Sequence, residues 1–213
     1  LRFGRLEITG QERMREQRIR KIAGLPEGET FSETELRRAE TRLRRTGIFS
    51  SVALTEDEQV TAPDLLGITA TVVEQKPRRY SVGVEVASLD GVSLTASWLH
   101  RNLLGGGERL GLGAEVTNIG SGLSGIDYGL EATLDRPATL TPDTTAGLVL
   151  GYKHLDEIDY ALDSVTFGLK FSHVFSETLT ARVGLTYDYL DGSDPGGDFT
   201  FRNLSLPFGV TWD

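Results

Sequence analysis

Five groups of residues could do chemistry in this chain. Gly120-Ser-Gly-Leu-Ser-Gly125 spells GxGxxG. A phosphate cradle of that kind needs a strand before it and a helix after it, so that the helix start faces the pyrophosphate. Here a strand pattern follows, and the segment reads as a mobile hairpin loop. His100, His154 and His173 are isolated, with no HExxH pair and no zinc ligand set at local spacing. Ser124 lies outside any GxSxG elbow. Asp188, Asp191, Asp194 and Asp198 surround Gly192, Pro195, Gly196 and Gly197. Oxygen-rich loops hold calcium, but the spacing is not that of an EF-hand; a solvated acidic loop is the stronger reading, with calcium as the alternative. Arg37, Arg38, Arg42, Arg44 and Arg45 interleave with Glu33, Glu35 and Glu40. That pattern reads as a salt-bridged solvent face, the alternative being a docking face for an acidic partner or anionic headgroups. No triad and no framed pair of carboxylates accompanies them, so the sequence points to no enzyme, no cofactor and no metal.

Composition narrows the classes further. The 213 residues allow one or two domains. A formal net charge of −9 argues against a nucleic-acid binder. Cysteine is absent, which removes disulfides and thiolate chemistry. No stretch approaches the ~20 apolar residues of a membrane-spanning helix. A membrane barrel escapes that test, because its apolar residues alternate. No signal peptide begins at Leu1, so the reading is a cytosolic protein or an interior piece of a longer one.

Two compositions meet near Lys76-Pro77-Arg78. Residues 1–79 hold 15 Lys+Arg and 13 Asp+Glu, net +2; residues 80–213 hold 7 and 18, net −11. We expect domains at 1–77 and 78–213. The first reads strand, helix, helix, strand, strand, a small α+β domain. Phe3 to Ile8 is the first strand. Gln11 to Ala23 is a charged helix with Met14, Ile19 and Ile22 as its stripe and Gly24 as its stop. Ser32 and Glu35 form a capping box ahead of Leu36, Ala39 and Leu43, and Gly47 ends that helix. Phe49 to Leu54 and Leu66 to Val73 are strands, with Thr55 to Asp64 an acidic loop.

The second part alternates with period two in eight runs, from Tyr80–Val86 to Leu204–Trp212. The opposite faces are small, mildly polar and rich in glycine, as in Gly111, Gly113, Gly147, Gly168 and Gly184. A soluble sandwich, the alternative, would place more Lys and Glu there. A wide water-filled barrel with its apolar face toward lipid fits better. Tyr80, Trp98, Tyr152, Tyr187, Tyr189 and Trp212 near strand ends fit an interfacial girdle. Outer loops are then Leu89–Gly91, Thr117–Ser124, Asp156–Tyr160 and Leu190–Asp198, and inner turns Leu103–Gly107, Arg136–Asp143 and Ser176–Glu177.

Two motifs carry a resemblance. Leu43-Arg-Arg-Thr-Gly-Ile-Phe-Ser-Ser-Val52 resembles the helix-Gly-aromatic-strand hallmark of a POTRA domain, and the element order agrees. Arg101-Asn-Leu-Leu-Gly-Gly-Gly-Glu-Arg-Leu110 resembles the turn after the second strand of the BamA/TamA superfamily of outer-membrane assembly and secretion barrels. The resemblance covers essentially the whole chain and leans toward a TamA-like member. It implies an α+β POTRA domain followed by antiparallel transmembrane β-barrel strands. About eight are present, half of the family's sixteen, and the arginine motif of the later barrel has no counterpart here; we expect a fragment. Eight strands could also close alone, but the glycine-rich face would leave a void.

The resemblance further implies an outer-membrane location, a periplasmic POTRA domain, and insertion or secretion of β-rich clients such as autotransporters. Its implied partners are nascent outer-membrane or autotransporter polypeptides, outer-membrane lipid and a TamB-like inner-membrane-anchored protein. A client strand would pair at the barrel seam with Arg79, Tyr80, Ser81, Val82, Gly83, Val84, Glu85 and Val86, where Gly83 weakens local pairing or is simply another lumen glycine. The POTRA edge strand, Phe49, Ser50, Ser51, Val52, Ala53 and Leu54, offers a second margin, with Phe49, Val52 and Leu54 read as core. A two-partner-type polypeptide exporter and a small structural eight-stranded barrel remain alternatives.

Overall fold

The computed structural model describes residues 1–61, 63–122 and 124–213, which divide into two units. The first unit takes Leu1–Pro77 together with Arg101–Glu108 and Arg136–Thr145. Alternation makes its strands. β1 (Arg2–Thr9) buries Phe3, Leu6 and Ile8, and β3 (Leu65–Glu74) buries Leu66, Ile68, Ala70 and Val72. β3 is central, parallel to β1 and antiparallel to β2 (Phe49–Thr61). Two helices, α1 (Glu16–Ala23) and α2 (Glu33–Arg45), bury Ile19, Ile22, Leu36, Ala39 and Leu43 in the same core. Each fully covered side chain such as Ile19 or Leu43 contributes about 1.5–3 kcal/mol.

Four local expectations are corrected. α1 starts at Glu16 and not at Gln11, because the amides ahead of it are already taken. Glu74 Oε1 accepts from the N–H groups of Glu12, Arg13 and Met14 at 3.0, 3.0 and 2.8 Å, which winds that segment around one carboxylate. The capping box does not form: Ser32 makes no side-chain cap bond, and Glu35 takes Arg38 at 2.7 Å. The acidic stretch after Leu54 is not a loop: β2 runs on to Thr61 through a register shift after Glu56. β2 lies at the sheet margin, where polar residues such as Asp57 face water without cost; Asp57 accepts from the Thr69 hydroxyl at 3.1 Å. The fourth correction concerns the acidic segment near Asp194, described below. Leu123 of the glycine-rich run and Ala62 of the expected acidic loop lie outside the described residues.

The second unit is an antiparallel sheet. Its strands are β4 (Arg78–Ala87), β5 (Gly91–Arg101), β6 (Arg109–Ile119), β7 (Asp127–Arg136), β8 (Thr144–Asp156), β9 (Ala161–Val174), β10 (Leu179–Asp194), β11 (Gly197–Ser205) and β12 (Phe208–Trp212). Neighbours follow chain order from β4 to β11. β11 and β12 both pair with β10 in one continuous register, from Asp194↔Gly197 to Leu179↔Trp212. They occupy a single strand position, broken at Leu206–Pro207, so the sheet has eight positions, as the periodicity predicts. The Pro207 carbonyl still accepts from Gly184 N–H at 2.8 Å, but the ring nitrogen returns no hydrogen bond.

Leu190–Asp198 is a tight hairpin and not an open acidic loop. Asp194 Oδ1 accepts from Gly196 N–H at 2.7 Å inside the turn. Asp188 accepts from Thr166 and Asp191 from Thr200, so hydroxyls across the ladder serve these carboxylates. Among the described residues no group of His, Asp or Glu could hold a metal ion. The GxGxxG run joins antiparallel β6 to β7, a setting with no helix start to face a phosphate.

The glycines of the polar face follow a rule. Gly83 faces Thr95, Gly111 faces Thr133, Gly113 faces Glu131, Gly129 faces Glu115, and Gly184 faces Lys170. A Cβ on Gly147 would lie 2.4 Å from Lys170 Cε and 2.5 Å from Asp135 Oδ1, a pair bridged at 3.0 Å. At Gly83, Gly111, Gly129 and Gly147 the polar side chain beside the glycine leans over the bare backbone, so these four make room for it, whereas the space above Gly113 is open.

Candidate functional site

Each unit offers one strand margin, β2 in the first and β4 in the second, and the first unit also holds two turns. β4 pairs with β5 alone among the described residues. Alternate N–H and C=O groups of such a strand point away from its one partner. The expected seam residues Arg79, Tyr80, Ser81, Val82, Gly83, Val84, Glu85 and Val86 all lie on it. Val82 is 80% exposed, against 43% for Leu112 inside the sheet, because among the described residues one flank of β4 carries no neighbour. A Cβ on Gly83 would sit 2.6 Å from Thr95 Oγ1, so this glycine gives space to Thr95.

The second margin is β2, with Phe49, Ser50, Ser51, Val52, Ala53 and Leu54 at its start. Phe49 and Val52 are buried and Leu54 is packed against the core, so three of the six are structural. A hollow of about 390 Å³ is lined by Arg44, Phe49, Ser50, Ser51 and Val52. Arg44 donates to the Val52 carbonyl at 2.9 Å and pairs with Glu40. An added strand must compete with that guanidinium for one acceptor of the edge.

The turns were not found from sequence as docking elements. Between β5 and β6, Asn102 takes φ +60° and its Oδ1 accepts from Gly107 N–H at 3.0 Å. Glu108, 5% exposed, accepts from Gly106 N–H at 2.9 Å. Gly107 takes φ +90°, and a Cβ there would lie 3.2–3.3 Å from Met14, Pro137 and Ile48. The turn is held by α1. Arg15 N–H donates to Gly105 O at 2.9 Å, and buried Arg18 donates to Gly106 O at 2.8 Å and to Pro137 O at 2.7 Å. Burial, then the Arg136 and Arg15 charges, lower the Arg18 pKa, and Glu108 offsets part of this.

The turn between β7 and β8 is held by α2. Arg42 donates to Asp143 through Nε at 3.0 Å and one terminal nitrogen at 2.7 Å, and Arg45 adds a bond at 3.0 Å. Arg42 also donates to Ala23 O and Gly24 O. Burial pushes the Asp143 carboxyl up, and the two arginines outweigh it and hold it below the usual range. The expected salt-bridged face of α2 thus divides. Arg37 and Arg38 pair with Glu33 and Glu35, and Arg44 with Glu40, while Arg42 and Arg45 face the turn. A signal existed: Arg18 lies on the Met14–Ile22 stripe, and Arg42 sits three residues after Ala39 on the buried face.

Glu74 gives a pH prediction. Burial raises its carboxyl, and the three backbone N–H groups outweigh this and hold it below the ordinary value. Its stabilisation is therefore complete above the unfolded pKa and is lost as pH falls through the lower folded value. We expect amide exchange at residues 12–14 to accelerate below about pH 4 relative to its intrinsic rate. Glu74→Gln should remove that acid step and leave the segment weaker at neutral pH. An unchanged step in the variant would assign it to another carboxylate.

Taken together, a two-helix, three-stranded domain feeding an antiparallel sheet with an apolar outer face defines an outer-membrane β-barrel protein with a POTRA domain. The family described as "Surface antigen variable number repeat" (POTRA) matches residues 1–75, and the "Omp85 superfamily domain" matches residues 102–212. The chain belongs to the Omp85 superfamily. It therefore lies in the Gram-negative outer membrane, with the POTRA domain in the periplasm.

Solved structures share the fold. BamA from Haemophilus ducreyi lacking POTRA domains 1–3 matches with TM-score 0.68 and 18% identity over 99% of this chain and 43% of that one. CdiB from Escherichia coli matches at 0.75 and 14%, over 100% and 42%. CdiB from Acinetobacter baumannii matches at 0.79 and 10%, over 98% and 42%. The chain thus spans less than half the length of these structures. No curated protein matches the sequence.

Proposed function

We propose that this chain is part of an assembly or secretion factor that delivers β-rich polypeptides, autotransporters among them, into or across the outer membrane. β4 supplies one side of a seam at which the client strand pairs. The observation that carries this reading is the margin position of β4, among the described residues, in a sheet with one apolar face. Hydrocarbon tolerates no unpaired strand edge, so a client that pairs with β4 hides its amides before it leaves water. β2 of the POTRA domain offers an earlier stop, where an extended segment adds by main-chain bonds with little sequence demand. Residues 1–77 act as this receiving domain and 78–213 as the first part of the barrel. The function needs no covalent chemistry. In a TamA-like setting an inner-membrane-anchored TamB-like protein hands over the client.

Single cysteines test the pairing cleanly within this cysteine-free sequence. Ser81→Cys and Glu85→Cys should form disulfides with cysteines in a client's terminal strand during assembly, and Glu131→Cys on interior β7 should not. A threading exporter instead predicts equal capture at polar-face positions such as Glu115 and Glu131. Failure of every β4 position to capture any β-rich client removes the proposal.

A further inference from the structure

The even-numbered face of β4 and β5 carries one full cation, Arg78, and no carboxylate from Arg78 to Val86 or from Val92 to His100. Arg78 lies directly across from His100, and Tyr80 from Trp98. Both pairs sit at the periplasmic end of the sheet, since Arg78 follows Pro77 and His100 precedes the β5–β6 turn. Trp98 meets the His100 ring edge-on at 5.8 Å. His100 Nδ1 is buried and has no hydrogen-bond partner among the described residues, an unmet polar demand beside the cation. On the same face, toward the membrane centre, an apolar trough of about 620 Å³ is lined by Tyr80, Val82, Ala96, Trp98, Leu112 and Leu130 among others.

Charge, aromatic pair and trough occur in the order that a phospholipid presents phosphate, glycerol and acyl chain. We propose that this face of β4 and β5 binds an anionic phospholipid of the periplasmic leaflet. Its phosphate sits at Arg78 with His100 beside it, its glycerol region lies against Tyr80 and Trp98, and one acyl chain fills the trough. Arg is suited to phosphate by its planar fork of donors. Tyr and Trp belong at the headgroup level, where one end of the ring is apolar and the other wet. With no carboxylate on this face of the two strands, nothing there opposes an anionic headgroup. A lipid held here lies on the margin strand, so the seam strand carries a fixed lipid neighbour.

The test uses the full-length protein in nanodiscs of equal phosphatidylglycerol and phosphatidylcholine, with native mass spectrometry after gentle stripping. The wild type should retain phosphatidylglycerol at least fivefold over phosphatidylcholine. Arg78→Gln should bring that ratio close to one, and Arg78→Lys should keep most of it. Heat-modified gel mobility checks that each variant has a folded barrel. Equal retention of the two lipids by the wild type overturns the proposal, since the lipid would then be an ordinary annular one. A preference that survives R78Q also overturns it, because the headgroup would be read elsewhere.

Discussion

Asp143→Ala should free the β7–β8 turn from α2 and raise amide exchange at Thr139 and Thr144 by roughly 100-fold. Both amides donate within the turn, to Thr144 O at 2.9 Å and Thr141 O at 3.2 Å, so they report its opening. Arg42 and Asp143 are 9% and 19% exposed at the side chain, so the pair is largely shielded from water. Removing one partner of such a pair leaves the other charge uncompensated, a cost of about 3 kcal/mol or more, or two decades in an equilibrium. Arg42→Ala should cost at least as much, because Ala23 O and Gly24 O lose a donor as well. The double variant should be little worse than R42A, since both changes remove the Arg42–Asp143 pair and the second adds only the loss of the more exposed Arg45 contact. Glu33→Ala on the exposed Glu33–Arg37 pair is the control and should shift stability by less than about 0.5 kcal/mol. Equal effects of D143A and E33A would mean that the turn is held by something other than this pair.

Gly107→Val should undock the β5–β6 turn from α1. At φ +90° a β-branched residue is a backbone outlier costing about 1–3 kcal/mol. The added carbons also enter a space already filled by Met14, Pro137 and Ile48, where overpacking costs about 1–3 kcal/mol. Together they amount to about 3 kcal/mol, again near 100-fold in exchange, read at the Arg15 amide that donates to Gly105 O. Gly113→Ala is the matched control. A Cβ there meets nothing within 4 Å, and the exchange of Arg15 should not change. A G107V protein with native exchange at Arg15 would show that the turn tolerates a side chain.

Much of the architecture was legible in the sequence because lipid on one side and water on the other impose a period of two on every strand. Tyr80–Val86 and Leu179–Tyr187 show it without exception, and their positions in the sheet agree. The reading failed where polar residues continue a strand. Glu56–Thr61 and Asp188–Asp194 look like loops because their charges do not alternate with core residues. A margin strand and the end of a hairpin have water on hand to accept them.

The margins β2 and β4 were legible as strands, whereas the docked turns were not. Arg42 reads as a solvent-facing helix cation because its partner lies 101 residues away. Arg18 reads likewise, with Pro137 at 119 residues. Burial of an arginine depends on what folds over it, and no local window contains that information. The glycine-rich turn of residues 101–110 was recognisable as a motif, yet its physical reason needed Met14 and Ile48 in place.

The gap at Pro207 has a mechanical consequence. The proline removes one donor from the ladder there, so Gly197–Ser205 and Phe208–Trp212 hold β10 as two separate stretches joined by a stiff ring. Local opening of the Phe208–Trp212 pairing therefore need not spread across the proline to Gly197–Ser205, so β10 is gripped by two stretches that can part from it one after the other.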